Sequence, residues 1–250
     1  MFLTRSPFQT APATDQPVVV VSHGSPSAPG CQQVAIRVIA DALQTLMPNR
    51  QVRGATLAAK GALDAAVTGL ERPIVCPWFM SDGWFVSTNL PRRLRKAGLP
   101  TWEMTAPLGL MPGLSTFMLK GLRARIDSEG LDERETVLVI AAHGSPSSAR
   151  PRKVTEAAAH ALAAVSGFAD IRTCYVDEPP AIRDVAKLDR PGIVLPFFAA
   201  YAGHVTGDLP EELEAAGFTG PVMGPVGAWP DTPAVAVSQI AALSTPVEAA

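Results

Sequence analysis

Short, continuous apolar runs rich in Val and Ile alternate along the chain with longer stretches whose apolar residues recur at helical spacing. In the first half this pattern predicts strands at 17–22, 52–57, 73–79 and 101–106, and helices at 30–47, 61–70, 88–97 and 112–127. In the second half it predicts strands at 136–142, 170–176, 192–198 and 220–224, and helices at 151–166, 180–188, 207–216 and 231–244. Strands that are apolar at successive positions belong to a parallel sheet covered on both faces. Right-handed crossovers then wind the intervening helices onto both sides. The expected fold class is α/β, a tandem duplication of a doubly wound parallel-sheet unit, with two lobes facing a cleft.

The order of elements repeats because the sequence repeats. PVVVVSHGSPS, ending at Ser27, returns as VLVIAAHGSPS, ending at Ser147, so that His23 and His143 lie 120 residues apart. PIVCPWFMSDGWFVSTNLPRRL returns as GIVLPFFAAYAGHVTGDLPEEL, with Pro77 matching Pro196 and Pro91 matching Pro210 at an offset of 119. PLGLMP (Pro107 to Pro112) returns as PVGAWP (Pro225 to Pro230) at an offset of 118. Three matches in order divide the chain into an N-terminal unit at 17–130 and a C-terminal unit at 131–250, and the opening segment, 1–16, is expected to be a flexible tail. In doubly wound sheets, ligands sit beyond the carboxyl ends of the strands. Both repeated motifs fall there: the histidines follow the first strand of each unit, and the longer segment runs off the third. If those two strands are neighbours, their loops converge on one pocket.

Charge adds an asymmetry. The chain has 21 Lys and Arg against 23 Asp and Glu. Of these, 13 basic and 6 acidic residues fall within 1–125, which leaves 8 and 17 for the remainder, or +7 against −9. A formal net charge of −2 excludes a nucleic-acid binder that relies on a basic field. The uneven halves suit a cleft that holds both a metal and an anionic ligand, or simply attract one another. Cys31, Cys76 and Cys174 form no C-x-x-C pair, which argues against a disulfide framework or a cysteine metal site and for a reducing cytoplasm. No apolar run long enough for a membrane span is present, and no leader pattern opens the chain.

The two units serve as each other's comparison. Position 204 is His in the second unit, and its counterpart is Phe85. Asp177 and Glu178 follow the second strand of the second unit, where the first has Ala58 and Ala59. Arg150, Arg152 and Lys153 open the helix after the second HGSPS, opposite Gly30, Gln32 and Gln33. The second unit therefore gathers two imidazoles, two carboxylates and a basic cluster, while the first keeps one histidine. Two neutral imidazoles and a carboxylate suit a borderline divalent ion such as Co²⁺, Fe²⁺, Ni²⁺ or Zn²⁺. So few ligands leave coordination positions open, as an exchanging site requires. His160, within EAAAHALAAV, reads as structural, and Asp208-Leu-Pro, which recurs as Asn89-Leu-Pro, reads as a helix start.

HGSPS after the first strand and FFAAYAGHVTGDLPEEL after the third resemble the sirohydrochlorin chelatases, the class II tetrapyrrole chelatases that insert cobalt or iron in cobalamin and siroheme synthesis. The resemblance spans essentially the whole chain in the two-unit form, and GHVTGDLP is its most specific part. It implies a chelatase-like fold and an enzyme with His143 and His204 as metal-binding and catalytic residues, and Asp177 or Glu178 as the acidic residue. The divalent metal, Co²⁺ or Fe²⁺, is then substrate, with no tightly bound cofactor. A tetrapyrrole is the other substrate, in a cytoplasmic monomer or homodimer. Sirohydrochlorin carries eight carboxylates, for which Ser145, Arg150, Arg152, Lys153 and Tyr201 are candidate contacts, with Arg92, Arg93, Arg95 and Lys96 further candidates from the first unit. His23 and Phe85 are possible second-lobe contacts, and Trp78, Trp84, Phe85 and Tyr201 could form apolar walls. Two pyrrole protons must leave, and an imidazole or a carboxylate could accept them.

Other classes fit less well. A histidine phosphatase needs Arg before His-Gly, where this chain has Ser22 and Ala142, and no G-x-S-x-G nucleophile elbow occurs. A non-catalytic tetrapyrrole or metal carrier would need the same residues as a chelatase.

Overall fold

A computed structural model describes residues 15–244. The first repeat holds β1 (Asp15–Ser22), α1 (Pro29–Leu46), β2 (Arg50–Thr56), α2 (Ala62–Val67), β3 (Ile74–Pro77), α3 (Leu90–Lys96), β4 (Glu103–Met104) and α4 (Leu114–Glu129). The second holds β5 (Val137–Ala142), α5 (Arg150–Ala163), β6 (Asp170–Tyr175), α6 (Ile182–Val185), β7 (Gly192–Pro196), α7 (Leu209–Ala215) and α8 (Pro233–Ser244). The strands form two parallel sheets, ordered β2-β1-β3-β4 and β6-β5-β7. In each sheet the first strand of the repeat is flanked by the second and third, so the loops after the first and third emerge side by side. The expected α/β class with two parallel-sheet lobes is the observed one. Most of the expected tail lies outside the described residues; β1 begins at Asp15, two residues before the predicted strand.

Four local expectations are corrected. The strand predicted at 220–224 is reduced to one bridge between Val194 and Val222, and the one at 101–106 to Glu103–Met104. Pro221 lies within the former and Pro225 directly follows it, and neither has an N–H to give a ladder. The helices predicted from 88 and 207 start earlier, as π-helical turns at Phe85–Asn89 and His204–Asp208 that run directly into α3 and α7. Proline explains the widening. Pro210 has no N–H for the Thr206 carbonyl four residues back, and its ring would press on that carbonyl. The turn opens by one residue instead, and the Leu209 N–H donates to the His204 carbonyl. Pro91 acts in the same way, with Leu90 donating to Phe85.

Side chains alternate between two environments on each sheet. Val19, Val21 and Val75 face an outer core beneath α2 and α3, and Val137, Val139 and Ala141 face the matching one beneath α6 and α7. Val18, Val20 and Ile74 enter instead a single central core together with Leu138, Ile140 and Ile193. The last helix of each repeat crosses over: α4 packs on α5, whereas α8 lies against α1, β1 and β3. The exchange gives the lobes one shared core and fixes the cleft between them. Trp78, 1% exposed, is a clamp within it, its indole Nε1 donating to the Gly227 carbonyl of the other lobe at 3.0 Å.

Candidate functional site

The HGS turn is built the same way in both lobes. Gly24 and Gly144 both have φ of 74°, a conformation that side chains resist. A Cβ at Gly144 would also stand 2.7 Å from Glu178 Cγ, and one at Gly24 would stand 2.8 Å from Thr56 Cβ. The third repeated motif supports the loop after the third strand. Gly109 and Gly227 turn so closely against it that a Cβ would lie 2.0 Å from the Met80 carbonyl oxygen and 2.3 Å from that of Ala199.

These loops enclose a cleft of about 880 Å³ lined from both lobes. His143 and His204 meet in it edge to face, with ring centroids 4.3 Å apart. His143 Nδ1 lies 3.2 Å from Asp177 Oδ2, and His204 Nδ1 lies 2.6 Å from Asp208 Oδ2. A carboxylate behind Nδ1 holds the proton there and leaves the Nε2 lone pair for a metal. The paired rings can hold one ion, and the carboxylates stand behind them. Among the described residues, no cluster of three or more His, Cys, Asp or Glu side chains could enclose a metal, so an ion here keeps open positions.

Asp208 is a residue that the sequence reading set aside. It does not cap α7; its carboxylate serves His204 four residues earlier. The i, i+4 spacing of His204 and Asp208 was the available signal. The first repeat shows the same frame with the donor removed. Phe85 replaces His204 and packs edge-on against His23 at 4.2 Å, and the buried Asn89 Oδ1, in place of the Asp208 carboxylate, has no hydrogen-bond partner among the described residues.

The structure separates Asp177 from Glu178. Glu178 accepts from Arg152 Nε at 3.1 Å, from Arg152 Nη2, and from the Ser145 N–H at 3.0 Å. The hydrogen-bonded Arg152 guanidinium, aided by Ser145, holds its carboxyl below the usual glutamate range against the opposing effect of burial. Glu178 is thus a clamp on the HGS turn and a poor proton acceptor. Its depressed pKa stabilises the fold above the unfolded value of about 4.3, and this is lost as pH falls through the lower folded value. Glu178→Gln is expected to reduce stability at neutral pH and to flatten its decline in acid. Chemical denaturation of both proteins at about pH 7 and about pH 3 checks this; parallel pH curves would show that the pair contributes nothing.

Of the other sequence-predicted residues, Ser145, His23 and Phe85 line the cleft, as do Trp78 and Trp84. Arg150, Arg152, Lys153 and Tyr201 do not, and no Lys, Arg, Asp or Glu is among the lining residues. Arg150 reaches across to the other lobe, donating to the Asp82 carbonyl at 3.0 Å. Gln32 makes the mirror contact to the Tyr201 carbonyl, so the two lobes touch on both sides of the cleft. Two cations of α3 are used elsewhere: Arg93 donates to the Leu57 carbonyl and Arg95 lies over the Trp102 ring, and none of the α3 cations lines the cleft. Cys76 and Cys174 are buried in the sheets, where desolvation pushes both thiols up to about 12. No described helix is long and apolar enough to cross a membrane.

The family model described as CbiX matches residues 17–125 and again 137–241, once per repeat. A curated protein of Halobacterium salinarum named "Probable sirohydrochlorin cobaltochelatase" is 23% identical over 224 residues, covering 79% of this chain and 76% of that protein. The solved structure of CbiX, described as the terminal enzyme for biosynthesis of siroheme in denitrifying bacteria, is 39% identical, with a TM-score of 0.84 over 92% of this chain and 100% of that one. SirB from Bacillus subtilis with Fe³⁺ shares the fold, with a TM-score of 0.76 at 13% identity over 94% of this chain and 97% of that one.

Proposed function

The chain belongs to the CbiX family of sirohydrochlorin chelatases, and we propose that it inserts a divalent metal into sirohydrochlorin, with His143 and His204 presenting the ion. The observation that carries this reading is the imidazole pair at the wall of a two-lobed cleft, each ring backed by a carboxylate. Asp177 and Asp208 orient the rings, and the open positions of the ion accept the macrocycle nitrogens as water leaves. Trp84, Phe85 and Phe198 offer apolar surface to the ring system. The lining hydroxyls of Ser25, Ser27, Ser145 and Ser147 offer donors to its carboxylates. Arg150 reaches those carboxylates by exchanging its present partner, Asp82, while Arg152 stays on Glu178.

Fe²⁺ is the preferred reading for the metal, because the relative at 39% identity is the one tied to siroheme; Co²⁺ is the competitor, named for the relative at 23%. Imidazole binds both, so geometry and supply decide between them. Anaerobic incubation with sirohydrochlorin and each metal, followed by visible absorbance, is expected to show insertion well above the buffer rate, faster with Fe²⁺. Faster insertion of Co²⁺ would reverse the metal assignment. A spectral shift on tetrapyrrole binding, without accelerated insertion of either metal, would make the protein a carrier.

A further inference from the structure

Insertion has a proton balance to meet. Two N–H bonds of the macrocycle break, their electron pairs become two metal–nitrogen bonds, and two protons must leave the cleft. On the chelatase reading, on which this inference rests, the Nε2 atoms of His143 and His204 are occupied by the metal until it is handed over. Neither Asp177 nor Glu178 lines the cleft, and Glu178 is committed to Arg152 and Ser145. Apart from the metal-holding pair, His23 is the one titratable side chain among the lining residues, and it comes from the other lobe.

The surroundings of His23 fix its proton. Its Nδ1 lies 2.7 Å from the Gly24 carbonyl oxygen, which can only accept, so Nδ1 carries the hydrogen and Nε2 the lone pair. Nε2 has no hydrogen-bond partner among the described residues. Phe85 stands edge-on against the ring where the second repeat has His204, so no second imidazole is there to share an ion. Ala58 replaces Asp177, so no carboxylate stands behind the ring. The lobe that lost its metal pair has thereby kept a free base facing the same cavity.

We propose that His23 is a catalytic residue that takes the pyrrole protons, from the lobe opposite the metal. Nε2 accepts the first proton as its N–H bond breaks, the half-buried imidazolium passes it to water, and the restored lone pair accepts the second. The duplicated turn is then used twice, once to hold the cation and once to remove the protons that it displaces.

The test compares wild type with His23→Gln and His23→Ala, using sirohydrochlorin and Fe²⁺ under anaerobic conditions. Metal affinity, tetrapyrrole affinity by fluorescence quenching, kcat and thermal unfolding are measured for each. The expected result is a kcat loss of about 100-fold in both variants, with both affinities and the unfolding midpoint close to wild type. A sterically hindered pyridine base, whose flanking methyl groups block metal coordination, should restore part of the rate in His23→Ala and not in His23→Gln. A kcat within about threefold of wild type, a loss confined to the binding constants, or a kcat loss that no added base restores would each overturn the proton role. A wild type that inserts neither metal overturns the chelatase reading itself and this inference with it. An active wild type with active His23 variants overturns this inference alone.

Discussion

His204→Ala is expected to reduce metal insertion on the order of 10³-fold, about 4 kcal/mol of transition-state stabilisation, while leaving the fold intact. The ring is 39% exposed at the cleft wall, and its main polar contact is Asp208, so its removal empties a site without opening the core. His143→Ala should match it, because an ion held by two imidazoles is not held by one. The double variant should add little, since the two residues act as a unit. Asp208→Ala should be milder, weakening metal affinity by about 10- to 100-fold through a misoriented His204, and Asp208→Asn should recover part of the loss by still accepting from Nδ1. Metal titration and insertion kinetics on the five variants and the wild type check the series. Insertion by His204→Ala at the wild-type rate would remove the imidazole pair from the mechanism.

Trp78→Ala is the substitution expected to cost most in stability, about 3–5 kcal/mol for the lost indole with about 1 kcal/mol more for the stranded Gly227 carbonyl. Trp78 is buried in the core common to both lobes, and its Nε1 bond joins them. Because α4 and α8 exchange lobes, the two halves should still unfold in one transition at lower denaturant. Trp78→Phe keeps most of the packing and isolates the hydrogen bond. Denaturant unfolding of the three proteins decides, and a loss below about 1 kcal/mol for Trp78→Ala would show that the lobes do not depend on this contact. Since Trp78 also lines the cleft, a partly unfolded fraction must be corrected for before any activity loss is assigned to chemistry.

The chain could be read this far because it carries its own comparison. Apolar strands such as Val18–Val21 and Val137–Ala142 announce a sheet buried on both faces, since only burial on both sides permits apolar residues at successive positions. Recurrence of HGSPS placed His23 and His143 at equivalent strand ends. The mismatch of Phe85 with His204 showed which repeat retained the imidazole pair. The glycines at 24, 144, 109 and 227 recur because the backbone allows nothing larger where each turn closes. All of this is local: periodicity, turn chemistry and the residue types a metal prefers.

What the sequence could not decide depends on contacts between distant segments. The order of strands within each sheet and the exchange of α4 and α8 between lobes come from packing, which one-dimensional periodicity does not encode. The division of labour between Asp177 and Glu178, adjacent in sequence, follows from what each faces: an imidazole in one case, and Arg152 and the Ser145 N–H in the other. Asp208 looked like a helix start until the fold placed its carboxylate 2.6 Å from His204 Nδ1. The sequence by itself determined the duplicated α/β units and the two histidines of the second. Only the tertiary structure decided which carboxylates stand behind them, that Arg150 and Arg152 are paired with Asp82 and Glu178 outside the cleft, and that His23 enters the same cavity from the opposite lobe.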